Sequence, residues 1–334
     1  MSAHRFEQPQ HVAPGFETAV MLMAGKGTRN MPAGLKGPNG LEMVDKWHNA
    51  FGVMTEGLAA VGVRELVVVI RDDEIAPGVQ LTEVLTRKWL DGDADAQRAL
   101  RKKAGIDPRL IEAAAPQRNL HGIDPKKVHF AVQSDKYGTA SSFAASIPKL
   151  REIGAEGALV VNSDAMLIGP RQGDDDHHPN SGRDFADLTN QMALTGAEHG
   201  LLATEIEPVV GGDGKYKYGV IMRGDDGRFS HILEGPKHVD VPLDYDETGR
   251  PKKLWANAGG YTLRASMYDI VERQMGSTLA ELGTPEYWIT TSFDRAAAAG
   301  QLVLTKLAVS QFADCADFDD RRDAAAMLAA AGVR

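Results

Sequence analysis

Ala19-Val20-Met21-Leu22-Met23 runs directly into Ala24-Gly25-Lys26-Gly27-Thr28-Arg29. Apolar residues without polar alternation suit a strand buried on both faces of a parallel sheet. The glycines that follow let the backbone approach a ligand closely, and successive N–H groups can form an anion nest. Lys26 and Arg29 add the positive charge that suits a triphosphate. Spacing excludes two familiar phosphate motifs. Gly follows Lys26 where the phosphate-loop pattern needs Ser or Thr, and Asn30 stands where the dinucleotide pattern needs its third Gly.

The same signature recurs outward from this stretch. Leu66–Ile70 and Leu159–Val161 are further unbroken apolar runs, Val128–Val132 repeats the pattern with His129 inside it, and Val53–Val61 and Ala140–Leu150 read as helices between them. Strand, crossover helix and strand in series predict an α/β fold with a doubly wound, mostly parallel, Rossmann-like sheet. Ligands of such sheets bind beyond the carboxyl ends of the strands, so the informative loops follow Met23, Val132 and Val161. Residues 1–16 read as a loose polar leader, and 17–334 as one domain with a helical insertion over about 76–127 and a smaller β-rich part over about 201–300. In that second part Tyr218–Met222, Phe229–Leu233, Gly260–Leu263 and Leu302–Leu307 read as strands. Pro285–Ala299 and Asp319–Ala331 read as helices. Gly173-Asp174-Asp175-Asp176-His177-His178-Pro179 reads as a solvated loop, because its Asp and His residues are adjacent and not spaced to converge on one ion.

Composition narrows the function class. A net charge of -9 over 334 residues argues against a nucleic-acid surface, which needs clustered Lys and Arg. The single cysteine, Cys315, permits no internal disulfide and suits a reducing cytoplasm. No apolar run reaches the length of a membrane span. The ten histidines show no triad-like spacing and read as structural or surface residues.

Two more constellations follow strands. In Gln133-Ser134-Asp135-Lys136-Tyr137-Gly138-Thr139-Ala140, the Gln133 carboxamide can donate to and accept from a base edge, and Gly138 would let a flat base lie against the backbone. The plainer reading is a strand-to-helix turn with Thr139 as N-cap; both can hold together. Asn162-Ser163-Asp164 places a carboxylate at a strand's carboxyl end, suited either to Mg²⁺ on a triphosphate or to capping a turn.

Taken together, these stretches resemble the bacterial sugar-phosphate nucleotidyltransferases, most closely the UTP–glucose-1-phosphate uridylyltransferase branch, from about Ala19 to Leu328. The resemblance rests on Gly25–Arg29 with Pro32, Val44-Asp45-Lys46, the helical insertion from Leu81, and the spacing of Gln133 and Gly138. It continues through Asp164, Tyr218-Gly219-Val220, Glu234, Asn257-Ala258-Gly259 and Asp314-Cys315. It implies an enzyme that couples a sugar 1-phosphate to a nucleoside triphosphate, UTP favoured, and releases pyrophosphate. Ala24, Gly25, Gly27, Thr28, Gln133, Gly138 and Thr139 would then bind the nucleotide. Asp164 and Asp314 would hold Mg²⁺, and Arg29 with Lys26 would neutralise the departing pyrophosphate. Tyr218, Gly219, Glu234 and Asn257 would orient the sugar.

The chain departs from that family at three places. Pro38 is followed by Asn39 where a phosphate-binding Lys is expected, leaving Lys36 as the nearest substitute. Glu234-Gly235-Pro236-Lys237 replaces Glu-Lys-Pro, so Lys237 is the displaced candidate for the sugar phosphate. Ala316 replaces the Gly after Asp-Cys. Alternatives are the same fold acting on a cyclitol or other polyol phosphate with another nucleotide, a non-catalytic nucleotide-sugar sensor, and a glycosyltransferase. Two retained carboxylates weigh against the sensor, and Asn162-Ser163-Asp164 fits the glycosyltransferase Asp-x-Asp poorly. The helical insertion suggests a dimer or tetramer.

Overall fold

The computed structural model describes residues 11–24, 41, 43–44, 48–71, 87–103, 107–113, 123–133, 136–168, 182–210, 214–224, 226–315 and 318–331. Its elements in chain order begin with β1 (Thr18–Leu22), α1 (Ala50–Ala60), β2 (Glu65–Arg71), α2 (Ala94–Lys103) and α3 (Pro108–Ala113). Next come β3 (Val128–Gln133), α4 (Thr139–Glu152), β4 (Gly157–Asn162), β5 (Ala165–Ile168), α5 (Arg183–Thr195) and β6 (His199–Ile206). They are followed by β7 (Val220–Arg223), β8 (Phe229–Leu233), β9 (Leu254–Arg264), α6 (Ser266–Gly276) and α7 (Leu279–Leu282). The last are α8 (Ile289–Ala298), β10 (Val303–Leu307), β11 (Gln311–Asp314) and α9 (Phe318–Ala330).

The main sheet runs β10-β6-β9-β4-β1-β2-β3. β1 pairs in parallel with β2 and β4, β2 with β3, and β10 with β6, while β9 runs antiparallel between β4 and β6. The mostly parallel, doubly wound reading holds along this path, where β9 makes the sheet mixed; β7 and β8 join the same sheet off the path, β7 antiparallel to both β9 and β8. The unbroken apolar runs have a direct cause: both sheet faces are covered. Ala19 and Met21 of β1, Leu66, Val68 and Ile70 of β2, and Leu159 and Val161 of β4 share one core with Phe51, Met54 and Leu58 of α1 and Phe185, Leu188 and Met192 of α5. Val20 and Leu22, Val67 and Val69, and Ala158 and Val160 point the other way. They meet Phe143, Ile147 and Leu150 of α4, Met267, Ile270 and Val271 of α6, and Phe293 of α8. Each fully buried side chain of this kind contributes about 1.5–3 kcal/mol.

Three local expectations change. The leader packs from residue 12 onward, because apolar side chains sit within its polar composition. Val12, Ala13 and Phe16 are buried, the Val12 N–H donates to the Val61 carbonyl (2.9 Å), and the Arg264 guanidinium lies 4.4 Å over the Phe16 ring. Residues 1–10 lie outside the described residues. The N-cap of α4 is Gly138, at φ 125°, and not Thr139, whose Oγ1 instead accepts the Ile289 N–H (2.9 Å). The helix expected over Pro285–Ala299 starts only at Ile289, after the Tyr287 backbone has paired with residues 137–140. β5, β6 and β11 were not anticipated. β5 and β11 form a separate antiparallel pair, and β6 is a half-buried ribbon at its far end. Among the described residues, no helix is long and apolar enough to cross a membrane.

Candidate active site

Two sets of strand ends converge on one cavity at the carboxyl side of the parallel strands. In the first set, Val220 of β7 pairs with both Leu233 of β8 and Ala256 of β9. One residue beyond that triple lie Gly219, Glu234 and Asn257, so register alone brings them together. The Asn257 N–H donates to the Gly219 carbonyl (2.8 Å) and seals the corner. In the second set, the chain leaves β4 at Asn162, turns through Ser163-Asp164 and enters β5. Asp314 of β11 pairs with Ala165, and the Cys315 N–H donates to the Asp164 carbonyl (2.7 Å). The Ser163 N–H reaches the Leu22 carbonyl (3.3 Å), which ties the turn to the end of β1. Asp164 and Asp314, 150 residues apart in sequence, are therefore neighbours through backbone pairing.

The resulting cavity has a volume of about 210 Å³, and Asp164, Asp314, Glu234, Asn257, Tyr218 and Gly219 all line it. Glu234, Asn257 and Tyr218 are held by neighbouring side chains. Glu234 Oε1 accepts from Thr290 Oγ1 at 2.6 Å. Burial pushes the Glu234 carboxyl above its ordinary range, and the Thr290 hydroxyl partly offsets this. Asn257 Nδ2 donates to the Tyr261 hydroxyl (2.8 Å), and its Oδ1 accepts the Gly259 N–H (3.0 Å). Gly219 is required by contact: a Cβ there would stand 2.9 Å from Glu234 Oε2 and 2.8 Å from Ile232 Cγ2. The Tyr218 ring meets Phe312 edge-on, with centroids 5.3 Å apart.

Sequence reasoning missed Lys217, whose Nζ lies 3.0 Å from Asp314 Oδ2 and 2.7 Å from Asp320 Oδ1. Burial works against this ammonium, yet its two carboxylate partners prevail and hold its pKa above the usual lysine value. Its adjacency to Tyr218-Gly219 was the available signal. Thr290 and Asp294, which support Glu234 and its strand from α8, carried no local signal.

Asp164 and Asp314 suit a hard divalent cation. Two carboxylates on one cavity wall match Mg²⁺, which usually takes one or two protein carboxylates and fills the rest of its octahedron with water and phosphate oxygens. No group of three or more His, Cys, Asp or Glu residues converges as a metal cage among the described residues. Cys315 is buried, and burial raises its thiol pKa, so it stays a protonated core residue.

The other expected residues are placed as follows. Gln133 is buried at the carboxyl end of β3. Its Nε2 donates to the Lys136 carbonyl (2.7 Å) and its Oε1 accepts from Ser142 Oγ (2.7 Å), which fixes the amide and leaves one N–H and one lone pair. Gly138 has a packing role: a Cβ there would lie 2.3 Å from the Tyr287 carbonyl oxygen. Ala24 is buried just past β1. Lys237 is exposed, forms an isolated bridge with Lys215, and is absent from the cavity lining. Gly25, Lys26, Gly27, Thr28, Arg29, Lys36 and the Asp/His loop lie outside the described residues.

No protein-family model matches the chain, and no curated protein matches it either. Solved structures do. A UDP-glucose pyrophosphorylase complexed with UDP-glucose superimposes with TM-score 0.63 at 16% identity, covering 93% of this chain and 97% of that one. A UDP-glucose pyrophosphorylase from Acinetobacter baumannii superimposes with TM-score 0.62 at 17% identity, covering 93% and 92%. A UTP-bound enzyme of the same name and organism gives 0.59 at 14% identity, with 93% and 92% covered. Over nearly its whole length, the chain has the α/β fold of these UDP-glucose pyrophosphorylases.

Proposed function

We propose that this protein is a sugar-1-phosphate nucleotidyltransferase, with UTP the favoured nucleotide, forming a nucleotide sugar and pyrophosphate. The observation that carries the reading is the convergence of Asp164, Asp314, Glu234, Asn257, Tyr218 and Gly219 on one cavity. Five separate parts of the sequence meet there, in a fold shared with UDP-glucose pyrophosphorylases. Register alone explains why strand ends meet. It does not require that they carry carboxylates and an amide.

In this reading Glu234 and Asn257 accept and donate hydrogen bonds to acceptor hydroxyls. The Thr290 and Tyr261 contacts fix their rotamers before substrate arrives, so little ordering is left for the bound state. Asp164 and Asp314 would hold Mg²⁺, which would supply Lewis-acid neutralisation of phosphoryl charge. Gln133 offers its remaining N–H and lone pair to a base edge. Arg29 and Lys26, following β1, are proposed to face the departing pyrophosphate. No side chain is needed as a nucleophile, because the acceptor phosphate oxygen attacks the α-phosphorus in line. Catalysis is then orientation and charge neutralisation. The helices α2 and α3 are the proposed surface for dimer or tetramer contacts.

The test is pyrophosphate release from purified protein with Mg²⁺, each common nucleoside triphosphate, and a panel of sugar and cyclitol 1-phosphates. Release should need one triphosphate and one acceptor, and should fall by about three orders of magnitude in Asp164→Ala. Pyrophosphate release unchanged in Asp164→Ala, or none from wild type with any pair, rejects the reading.

A further inference from the structure

The cavity sets three carboxylates, Asp164, Glu234 and Asp314, against one cation among its described lining, Lys217. A phosphorylated acceptor entering such a cavity meets net negative charge unless a divalent cation and a protein cation oppose it. Lys237, the residue expected from sequence for this task, is exposed and outside the lining. Lys217 is inside it and already engaged. Its ammonium bridges Asp314 at the cavity wall and Asp320 in α9, at 3.0 and 2.7 Å. Its side chain is 45% exposed, so the head group has room to move toward the cavity. Nζ lies 5.4 Å from the centre of the Tyr218 ring, which lines the same cavity.

Asp314 thus has two competing uses. The same carboxylate cannot serve fully as partner to an ammonium and as ligand to a divalent cation. Even with water-like screening at this half-exposed ammonium, a divalent cation a few ångströms away is repelled by enough to change affinity about tenfold or more. An ammonium has three donors, so it can give up Asp314, keep Asp320, and offer the freed donor to a phosphate oxygen.

We propose that Lys217 is the phosphoryl-binding residue of this cavity, exchanging Asp314 for a non-bridging oxygen of the acceptor phosphate as the divalent cation takes Asp314. The assignment deepens the nucleotidyltransferase reading and rests on it for the identity of the phosphorylated acceptor. No covalent step is involved. The exchange has a signature that a purely structural lysine lacks. Removing the ammonium strengthens binding of a divalent cation alone and weakens binding of a phosphate ligand.

The full-length wild type, Lys217→Met, Lys217→Arg and Lys237→Met are compared after circular dichroism has shown that each is folded. Mn²⁺ alone is titrated by electron paramagnetic resonance. Glucose 1-phosphate and, separately, inorganic phosphate are then titrated calorimetrically at saturating Mn²⁺. In Lys217→Met, Mn²⁺ should bind about tenfold tighter, and phosphate ligands about 10- to 100-fold weaker. Lys217→Arg should recover most of the phosphate affinity. Mn²⁺ affinity unchanged in Lys217→Met, both affinities falling together, loss confined to Lys237→Met, or no phosphate binding by wild type each overturns the proposal. Opposite shifts in a protein that releases no pyrophosphate would support Lys217 while rejecting the nucleotidyltransferase reading. Unchanged affinities in a protein that does release it would reject Lys217 alone.

Discussion

Asp294→Asn should change how the stability of this protein depends on pH. Asp294 lies in α8 beneath the cavity, and its Oδ1 accepts the Ile232 N–H at 3.0 Å. Burial, with the neighbouring Glu234 charge adding to it, pushes its carboxyl from the ordinary 3.8 up to about 6 despite that hydrogen bond. A carboxyl harder to ionise in the folded than in the unfolded chain favours folding when protonated. Its contribution is therefore complete below about pH 4 and is lost as pH rises through about 6. The full rise corresponds to roughly 3 kcal/mol, and partial exposure with solvent screening reduces this to about 1–2 kcal/mol. Asparagine keeps an oxygen for the Ile232 N–H and has no charge to lose. Any fixed cost of the substitution is the same at every pH, so the comparison lies in the slopes. Urea unfolding at pH 4, 5, 6 and 7.5 should show the variant gaining about 1–2 kcal/mol on wild type across that range. Parallel curves would refute the reasoning, since a carboxyl with an ordinary pKa cannot separate them above pH 4.

Two further substitutions test how the site is held. Gly138→Ala puts a Cβ 2.3 Å from the Tyr287 carbonyl oxygen at φ 125°, whereas Gly154, at φ 69°, has open space around it. Gly138→Ala should cost about 2–4 kcal/mol and Gly154→Ala about 1 kcal/mol; equal losses in urea midpoint would show that the Tyr287 contact does not matter. Tyr261→Phe removes the hydroxyl that accepts from Asn257 Nδ2 and leaves that N–H without its partner, at about 1–3 kcal/mol. With Asn257 loosened, KM for the acceptor should rise while KM for the triphosphate stays put, and a rise in both would place Asn257 outside the acceptor pocket.

The fold was legible in the sequence where burial on two faces leaves a pattern in one dimension. Leu66–Ile70 and Leu159–Val161 are continuous apolar runs because helices cover both sides of the strands they form. Ala140, Phe143, Ile147 and Leu150 repeat at helical spacing for a similar reason. Elements buried on one side, or paired only across long sequence distances, left no such mark. β11 is four residues of mixed character, and its strand identity comes from pairing with β5.

The same division holds within the site. Sequence alone determined which residue types end the strands: Asp164 after β4, Gly219 before β7, Glu234 after β8 and Asn257 within β9. Only tertiary structure decided that Val220 faces Leu233 and Ala256 at once, and that Asp314 is adjacent to Ala165. Cross-strand register is fixed by packing of whole sheet faces, a property no local window contains. It also decided which of two lysines lines the cavity. Lys237 lies three residues past Glu234 yet is absent from the cavity lining, whereas Lys217, 17 residues before Glu234, is part of it. Proximity along the chain favoured the first. Pairing of β7 with β8 and β9 sets the neighbouring Gly219 beside Glu234 and Asn257, and Lys217 reaches Asp314 of β11.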